Sequence, residues 1–412
     1  MSNTNEASTG RGRPVRILQL VPEALPTFRA DVAVLFGKYL PRYGVECDVV
    51  GKGSKAAVQE QGFASVRRAP LGARWKTELS FAWLCLRTML SARRGQCDVI
   101  QARDMVSLGT AGLLIARLRG IRFAYWMSFL MCEARIDRAR ARLRAGGGLR
   151  DRLVLLKGLA EYALLHKVVL RHADHVFVQS DAMLELLASQ GVPREKMSAV
   201  PMGVDMEVLS TRPQPRRLPG WEGVPLLAYL GTLDPMRDIH MVIDALVLIR
   251  RNYPTARLLL VGDAPHKVDV ERLLAHAAAS GVGDAVHVTG WLPSAEAWQL
   301  LAGADVAVSY FPRGTVLDTN SPTKILEYMA LGIPSLGNDN PDQQMVMLES
   351  QAGWLTPSTP EGLAEAACGV LADPQGAARR AAAGPPYIES KRSYRVLAEG
   401  VARRYAALLA TR

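Results

Sequence analysis

The stretch Asp318–Pro334 reads DTNSPTKILEYMALGIP and combines several signals for a helix that opens onto a binding site. Ser321 suits the N-cap position, and Pro322 suits the first helical position, where a missing N–H costs nothing. Gly332 and Pro334 end the helix. Such an N-terminus offers unpaired N–H groups and a positive dipole end, which favour a phosphate or diphosphate. The same capping pattern is typical of an ordinary surface helix, so it indicates a site only together with other signals.

Two charged residues lie within this predicted helix. Lys324 adds a cation near the N-terminus, and Glu327 lies about one helical turn further along. A carboxylate there accepts hydrogen bonds from a ribose diol while it stays clear of the phosphates. A solvated lysine and glutamate fit the same spacing.

Outward from this stretch, short apolar runs alternate twice with longer helical patterns, and this alternation builds parallel sheets flanked by helices. In the first half the predicted strands are Arg16–Val21, Glu46–Gly51, Asp98–Ala102, Arg122–Ser128 and His175–Ser180. In the second half they are Leu226–Gly231, Ala256–Gly262, Ala285–Trp291, Val306–Phe311, Ile333–Leu336 and Gly353–Thr356. The predicted fold class is therefore α/β, with two doubly wound, Rossmann-like domains. Open parallel sheets bind ligands at the carboxyl ends of their strands, so we expect the site in a cleft between the domains.

Helical patterns fill the gaps between the strands. The predicted helices include Ala30–Tyr43, Leu149–Arg171 and Asp181–Gln190, and Asp181 is the expected cap of the last one. Another helix is predicted to start at Pro235–Asp238. A final amphipathic helix, Ser390–Ala410, is expected after a breaker at Gly384-Pro385-Pro386.

A proline- and glycine-rich segment, residues 205–225, breaks both periodicities and predicts a linker. The predicted organisation is a disordered leader (1–13), a first Rossmann-like domain (14–204), the linker (205–224), a second Rossmann-like domain (225–384) and a C-terminal helix (385–412) that could pack back on the first domain. The 412 residues agree with this division, because one hydrophobic core stops growing near ~250–300 residues.

Composition limits the class of protein. The formal net charge of +11 favours an anionic partner. The five cysteines form no C-x-x-C pair, so they indicate neither a disulfide framework nor a zinc site, and a reducing compartment is expected. The polar N-terminus lacks an apolar signal core, and the apolar runs fall short of the ~20 residues that span a bilayer. We therefore expect a cytoplasmic protein that is soluble or at most peripheral.

Several short motifs in the second half of the chain together resemble the pattern of a known protein family. Its pieces are Gly231-Thr232-Leu233 with Arg237, Leu259-Leu260-Val261-Gly262-Asp263, Val288-Thr289-Gly290-Trp291-Leu292-Pro293, Ala304-Asp305-Val306, and Ser321-Pro322-Thr323-Lys324 through Glu327-Tyr328-Met329-Ala330 with Gly332 and Pro334. In this order and spacing they resemble the donor-binding half of retaining GT-B glycosyltransferases of family 4. The first half resembles the family more loosely, through residues 98–103, 173–180 and 200–205.

The resemblance implies a GT-B architecture and a metal-independent hexosyltransferase that uses a UDP- or GDP-sugar in surface polysaccharide assembly. The implied catalytic residues are Arg237, Lys324 and Glu327. The implied donor-binding residues are Gly231, Thr232, Asp263, Leu292, Asn320, Ser321, Pro322, Thr323 and Glu327. The implied acceptor-side residues, in the first domain, are Arg29, Arg103, Ser128 and Glu133. No cofactor is implied beyond the nucleotide sugar, which is a co-substrate.

Several positions depart from the family pattern. Thr232 stands where the family usually has an arginine, Arg237 where it has a lysine, and Thr319 where it has the first of two glutamates. Residues 22–29 replace the usual glycine-rich loop, and the strand Arg122–Ser128 lacks the histidine of many relatives. Lys324 is expected to compensate for the cation missing at Thr232.

The chemistry implied by the family needs no protein nucleophile. In a front-face reaction the leaving diphosphate takes the proton of the acceptor hydroxyl, so the protein stabilises the charge that develops on that diphosphate. Arg237, whose guanidinium can fork onto a diphosphate, Lys324 and a helix N-terminus supply this stabilisation. The sequence has no Asp-x-Asp motif, so a metal-held diphosphate is not indicated.

Much of the positive charge lies in residues 134–171, which hold ten Lys or Arg against three Asp or Glu. We predict that this segment rests on the anionic inner face of the cytoplasmic membrane and presents a polyprenyl-diphosphate-linked acceptor. A solvated basic helix face is the alternative.

Three other classes of protein fit part of the sequence. Residues 51–56, GKGSKA, match a dinucleotide-binding pattern, but they follow the second strand rather than the first, which disfavours an oxidoreductase. A nucleic-acid-binding protein would rest on charge alone, since the arginines have few aromatics among them, and no nucleic-acid partner is expected. A catalytically inactive sugar-nucleotide-binding protein shares the fold, and Thr232 and Thr319 favour it.

Overall fold

The computed structural model describes residues 13–54, 62–209 and 212–410. The chain forms two compact units: unit 1 runs to Val200 and resumes at Tyr394, and unit 2 is Pro201–Ser393. The leader predicted for residues 1–13, except Arg13, and the end of the 51–56 motif lie outside the described residues.

Unit 1 contains a seven-stranded parallel sheet in the order β3-β2-β1-β4-β5-β6-β7. Its strands are β1 (Val15–Leu25), β2 (Val45–Gly53), β3 (Ser65–Ala69), β4 (Val99–Arg103), β5 (Arg122–Met127), β6 (His175–Val178) and β7 (Met197–Ala199). The strand order reverses between β1 and β4. The sequence predicted five of these strands and missed the two edge strands, because β3 exposes Arg67 and Arg68 and β7 has only three residues.

The helices of unit 1 before the unit boundary are α1 (Ala30–Ala33), α2 (Arg74–Ser91), α3 (Val106–Arg119), α4 (Met131–Arg144), α5 (Leu149–Leu164) and α6 (Asp181–Ser189). The predicted helix Ala30–Tyr43 is one α turn followed by a π turn and a 3-10 turn. A π turn, Leu165–Leu170, likewise follows α5. The predicted cap Asp181 is wrong, because the Ser180 side chain accepts the hydrogen bond from the Met183 N–H at 3.0 Å.

Unit 2 contains a six-stranded parallel sheet in the order β10-β9-β8-β11-β12-β13. Its strands are β8 (Leu226–Leu230), β9 (Arg257–Val261), β10 (Val286–Val288), β11 (Val306–Ser309), β12 (Ser335–Asn338) and β13 (Trp354–Thr356). All six were predicted from the sequence, with boundaries that shift by a few residues. The order reverses between β8 and β11, and this switch point is where open α/β sheets bind ligands.

The helices of unit 2 are α7 (His240–Ile249), α8 (Lys267–Ala279), α9 (Ser294–Ala302), α10 (Thr315–Asp318), α11 (Thr323–Leu331), α12 (Pro341–Ser350), α13 (Pro360–Ala372), α14 (Pro374–Ala381) and α15 (Gly384–Tyr387). The helix start predicted at Pro235–Asp238 is wrong, since Pro235–Arg237 is an isolated 3-10 turn. The predicted breaker Gly384-Pro385-Pro386 instead begins α15, because proline suits a first helical turn.

The segment predicted as a linker has no regular secondary structure in its described residues, but it packs within unit 2. Trp221 lies in an apolar cluster with Leu226 and Leu259. The Arg217 side chain donates to Asp305 at 2.8 Å. Val204 lies in the apolar cluster of unit 2 with Leu326 and Met329, which explains why the boundary between the units falls at Val200 rather than at residue 204.

The last helix, α16 (Tyr394–Ala410), belongs to unit 1 and follows an extended residue, Ser393. Tyr405 is fully buried, its hydroxyl donates to Gln101 Oε1 at 2.5 Å, and its ring centroid lies 5.1 Å from that of Phe177. Unit 1 is therefore built from both ends of the chain. None of the helices in the described ranges combines the length and the hydropathy needed to cross a bilayer.

Candidate functional site

The ends of β8 and β9 pack closely because a glycine follows each strand. The Gly231 N–H donates to the Val261 carbonyl at 2.9 Å. Gly262 has a φ of +149°, and a Cβ built on it would lie 2.0 Å from the Gly231 oxygen. Only glycine is tolerated at such a position. Gly231 in turn faces the Lys324 side chain, since a Cβ on Gly231 would lie 3.4 Å from Lys324 Cδ.

Tyr328 fixes helix α11 to the two central strands of unit 2. Its buried hydroxyl accepts a hydrogen bond from the Leu230 N–H of β8 at 2.8 Å and donates to the Val308 carbonyl of β11 at 3.4 Å. The side chain therefore anchors α11 at the switch point of the sheet, where the first turn carries Lys324. The sequence motif contained Tyr328, but its anchoring role was not predicted.

Lys324 is buried with an exposed fraction of 7%. Its Nζ lies 4.4 Å from the centroid of the Phe311 ring and 5.0 Å from that of the Tyr229 ring. Burial and the nearby Arg237 hold the pKa of Lys324 well below its usual value, and Glu327 partly opposes this shift. The amine is thus a poorly solvated cation site that an anionic ligand would stabilise.

Arg237 ends the 3-10 turn that begins with Pro235, and the Asp234 side chain caps this turn by accepting from the Met236 N–H at 2.8 Å. The Arg237 Cζ lies 4.4 Å from the Phe311 ring centroid, the same separation as Lys324 Nζ. Arg237 Nη1 is buried and has no hydrogen-bond partner among the residues that the structure describes. Two cations therefore meet at one aromatic ring, and one of them has an unused donor.

Phe311 is held rigidly by a polar network behind it. The Asn338 side chain accepts from the Phe311 N–H at 2.9 Å and donates to the Phe311 carbonyl at 2.6 Å. Gln343 donates to the Asn338 oxygens at 3.0 Å and accepts from Ser309 at 2.6 Å. Sequence reasoning missed Phe311, because an aromatic residue at a strand end is indistinguishable from a core residue.

Glu327 is half-buried one turn beyond Lys324. Burial raises its pKa to about 7, while Lys324 and a hydrogen bond from the Trp298 side chain oppose the shift. Burial thus favours the protonated form of this carboxyl group more than in an exposed glutamate. Trp298 was not predicted as a site residue.

Ser321 does not cap α11. The N-cap is Pro322, and the Ser321 hydroxyl donates instead to Asp342 Oδ2 at 2.6 Å and accepts from the Met202 N–H at 2.9 Å. Asp342 also pairs with the buried Arg392, with 2.6 Å between Oδ1 and Nη2. The predicted N-cap role of Ser321 is wrong because its hydroxyl bonds to Asp342, a residue 21 positions away in the chain. The N–H groups at the start of α11 consequently receive no side-chain cap within the described chain.

The other predicted donor residues have varied surroundings. Thr232 and Asp263 are exposed, and the Asp263 backbone carbonyl accepts from the Leu233 N–H at 2.9 Å. The Leu292 side chain packs against the apolar cluster around Trp221 and so contributes to the core of unit 2. Asn320 and Thr323 are half-buried and flank Ser321 and Pro322 at the start of α11.

Thr319, which stands where the family has a glutamate, is buried with an exposed fraction of 3%. Its hydroxyl donates to the Val316 carbonyl at 2.9 Å. The Thr319 side chain therefore bonds to the last turn of helix α10, and the site lacks the carboxylate that a glutamate would place there.

In unit 1, Arg103 is completely buried and is surrounded by carboxylates. Its guanidinium lies 2.7 Å from Asp31 and 3.2 Å from Glu23. The Arg103 side chain has no exposed surface, so its contacts are with these carboxylates, and its acceptor-side role stays a prediction. Arg29 is half-exposed, and it donates to Ser128 Oγ at 3.3 Å.

Ser128 is fixed by Asp104 at the end of β4. The Ser128 N–H donates to Asp104 Oδ1 at 2.8 Å, and its hydroxyl donates to the other oxygen. Asp104 has a φ of +52°, an uncommon conformation for a residue other than glycine. Burial raises the pKa of Asp104, and Arg103 opposes the shift.

Glu133, the last predicted acceptor-side residue, lies in the first turn of α4. Its carboxylate is 3.6 Å from His166 Nε2, and the His166 ring stacks on Tyr162 with 4.2 Å between centroids. His166 lies in the π turn after α5, and π turns often occur at functional sites. His166 was not predicted, since no motif surrounds it. Across the described ranges, no group of three or more His, Cys, Asp or Glu is arranged to hold a metal ion.

Two family models match the chain. One described as "Glycosyl transferase 4-like domain" matches residues 23–203, and one described as "Glycosyl transferases group 1" matches residues 224–373. The resemblance stated from the sequence is therefore confirmed, as is the GT-B fold of two Rossmann-like units.

Several curated relatives each match about half of the chain. A protein named for colanic acid biosynthesis glycosyltransferase activity, WcaL of Escherichia coli strain K12, is 27% identical over 48% of this chain and 48% of its own length. A GDP-mannose-dependent alpha-(1-6)-phosphatidylinositol monomannoside mannosyltransferase of Mycolicibacterium smegmatis is 30% identical over 52% of this chain and 56% of its own length. The chain thus spans about half the length of the curated relatives it matches.

Among solved structures, Anabaena Alr3699/HepE in complex with UDP-glucose is similar in fold. It has a TM-score of 0.68 and 18% sequence identity, over 95% of this chain and 99% of that chain. At this identity the likeness concerns the fold.

Proposed function

The chain belongs to the group 1 glycosyl transferases, and on that premise we propose that it transfers a sugar, with retention, from a UDP- or GDP-sugar to a saccharide acceptor. One observation carries the proposal: Arg237 and Lys324 both lie 4.4 Å from the Phe311 ring, and the buried Arg237 Nη1 lacks a hydrogen-bond partner among the described residues. A diphosphate supplies the acceptor oxygens and negative charge that this arrangement lacks.

The residues of unit 2 act on the leaving group. As the bond from sugar to diphosphate breaks, negative charge grows on the diphosphate, and Arg237, Lys324 and the uncapped N–H groups of α11 stabilise it. The diphosphate accepts the proton of the attacking acceptor hydroxyl on the same face. Glu327 accepts hydrogen bonds from the ribose hydroxyls and orients the donor.

We propose that transfer is independent of metal, because two protein cations supply the charge that a metal ion would supply. Addition of EDTA to a transfer reaction is expected to leave the rate unchanged. A rate that falls with EDTA and recovers with Mg²⁺ or Mn²⁺ would contradict this part of the proposal.

The acceptor is proposed to be a lipid-linked saccharide in surface polysaccharide assembly. The names of the two curated relatives support this, since one refers to colanic acid and the other to a phosphatidylinositol mannoside. In unit 1, the proposed acceptor-side residues are the half-exposed Arg29, the buried Ser128 and the half-buried Glu133, and Arg103 positions the carboxylates around it.

An anionic membrane surface on the inner face of the cytoplasmic membrane is the proposed partner of residues 134–171. Nine of the ten Lys and Arg in this segment are exposed, and Arg135 alone is half-buried and paired with Glu161. Exposed cations near a membrane attract anionic headgroups. Sedimentation with neutral and with anionic vesicles tests this, and equal binding to both would refute it.

The site assignment is tested with Arg237→Ala and Glu327→Ala. Each variant is expected to lose transfer activity by at least a hundredfold, because each removes a group that touches the donor, while circular dichroism stays unchanged. The matched control is Arg251→Ala, an exposed arginine of unit 2 whose loss leaves transfer unaffected. Near-normal turnover in both site variants would refute the assignment.

A sugar-nucleotide-binding protein without transfer activity is the second candidate function, and the buried Thr319 favours it, since no carboxylate stands there to hold the donor sugar. Thermal-shift screening against nucleotides and nucleotide sugars identifies the ligand. Incubation of the best ligand with acceptor extracts then separates the candidates, because only an enzyme releases free nucleotide.

A further inference from the structure

Helix α2 of unit 1 exposes an apolar stripe. Trp75, Leu79 and Trp83 follow one another at intervals of four residues, and 63%, 63% and 66% of their surfaces are exposed. Residues at this spacing lie on one face of a helix. The opposite face, with Phe81 and Cys85, is buried. The tryptophans are therefore not part of the core of unit 1.

The apolar surface continues over the two neighbouring helices. On α3, Leu114 and Leu118 are 59% and 85% exposed, and on α5, Leu149, Leu153 and Leu156 are 72%, 58% and 62% exposed. Helix α3 packs against both α2 and α5. We call the exposed faces of these helices the α2–α3–α5 surface. These eight exposed apolar side chains on three helices, of which α3 contacts both others, favour an interaction site over chance exposure.

The helices under this surface are tightly packed, so the surface is preformed. A Cβ built on Gly112 of α3 would lie 3.2 Å from the Met89 sulfur of α2. The Arg119 side chain of α3 donates to the Leu90 carbonyl of α2 at 2.6 Å.

The charges around the surface identify its occupant. Helices α2, α3 and α5 carry eight Lys or Arg against three Asp or Glu. One of the acids, Glu78, is already paired with Lys52 at 2.7 Å. A second copy of the chain would bring like charges together, whereas an anionic bilayer complements both the cations and the apolar side chains.

We propose that the α2–α3–α5 surface inserts its tryptophans and leucines into the boundary between headgroups and acyl chains of an anionic membrane. Tryptophan favours this depth because its ring is apolar and its N–H stays hydrated. The inference deepens the membrane partner of the proposed function: residues 134–171 attract the bilayer by charge, and the α2–α3–α5 surface adds insertion.

The test is flotation of the full chain with vesicles of phosphatidylcholine alone and of phosphatidylcholine with phosphatidylglycerol. Wild type is expected to float with the anionic vesicles and to remain partly bound in 0.5 M NaCl, because salt screens charge but not apolar insertion. The double variant Trp75→Ser/Trp83→Ser is expected to bind at least tenfold more weakly. The matched control is Trp291→Ser in unit 2, since Trp291 is also 66% exposed, and its loss should leave vesicle binding unchanged.

The possible outcomes separate the two proposals. Wild-type binding by the double variant, or an equal loss in the Trp291→Ser control, would overturn the insertion proposal. A double variant that binds vesicles normally but changes from dimer to monomer in size-exclusion chromatography would also overturn it, in favour of self-association. Transfer to a detergent-dispersed acceptor should be the same in wild type and double variant, so an absence of transfer in both refutes the proposed function instead.

Discussion

At the scale of single residues, the candidate donor site depends on charges that folding leaves poorly satisfied. Lys324 is buried between two aromatic rings, and Arg237 keeps an unpaired Nη1 among the described residues. Phe311 makes this arrangement tolerable, since a ring face attracts both cations without neutralising them. Poorly satisfied cations of this kind lower stability, and we expect an anionic ligand to offset that loss.

The raised pKa of Glu327 allows the loss of stability at this site to be measured. Its folded pKa, about 7, lies above the usual value of 4.5, so the folded state holds the proton more tightly. The contribution of Glu327 to stability is consequently largest when Glu327 is protonated, and it is lost as the pH rises from about 4.5 through about 7. Glu327→Gln mimics the protonated form. We expect it to raise the free energy of unfolding by up to about 3 kcal/mol at pH 8 and by little at pH 4.5.

Urea denaturation of wild type and Glu327→Gln at pH 4.5, 6 and 8 measures this effect. Glu271→Gln is the control, because Glu271 is exposed on α8 and its replacement should change stability by less than about 0.5 kcal/mol at every pH. A Glu327→Gln variant that is no more stable than wild type at pH 8 would contradict the burial argument.

At the scale of secondary structure elements, Tyr328 links helix α11 to the strands on either side of the switch point. Tyr328→Phe removes the hydroxyl and leaves the partly buried Leu230 N–H without this partner. We expect a loss of about 1–3 kcal/mol in the free energy of unfolding and weaker nucleotide binding. Tyr387→Phe is the matched control: its hydroxyl bonds the Glu349 side chain at the surface, so the loss should stay below about 1 kcal/mol.

The glycine contact between the ends of β8 and β9 predicts a larger effect. Gly262→Ala places a Cβ against the Gly231 oxygen and demands a φ that alanine rarely adopts, so we expect a loss of at least about 3 kcal/mol. Gly369→Ala lies in the interior of α13 with open space around it and should instead stabilise by about 0.5–1 kcal/mol. Thermal denaturation compares the two. If the two substitutions changed the free energy of unfolding equally, the close contact between the ends of β8 and β9 would not be required for stability.

The sequence predicted the central elements better than their ends. All strands of unit 2 were found, because each is a short apolar run between turns, whereas β3 was missed because a polar edge strand lacks that signal. The structure brings Lys324 and Arg237 to the same ring of Phe311, although the helix start predicted beside Arg237 is wrong, and the roles of Lys324, Arg237 and Glu327 stay predictions. The hydroxyl of Ser321 was misassigned, because its partner Asp342 comes from another helix, and such long-range competition leaves no local pattern.

At the scale of the whole molecule, the chain completes unit 1 only with its last helix. The sequence allowed this arrangement for the C-terminal helix but could not decide it, since an amphipathic helix fits many partners. In the structure Tyr394, Tyr405 and Leu408 of α16 join the apolar cluster that contains Phe36 and Trp126. Unit 2, in contrast, is one continuous segment.

This organisation predicts that a substitution in α16 unfolds unit 1 and spares unit 2. Tyr405→Ala removes a fully buried ring and its hydrogen bond to Gln101, so we expect unit 1 to lose about 3–5 kcal/mol. Arg403→Ala, two residues away and 71% exposed, should change stability by less than about 0.5 kcal/mol. Limited proteolysis with mass spectrometry measures where cleavage increases. If the two units have separate cores, Tyr405→Ala should be cleaved only before Val200 and after Ser393 and should still bind nucleotide. Equal cleavage throughout the chain would show that the units unfold together.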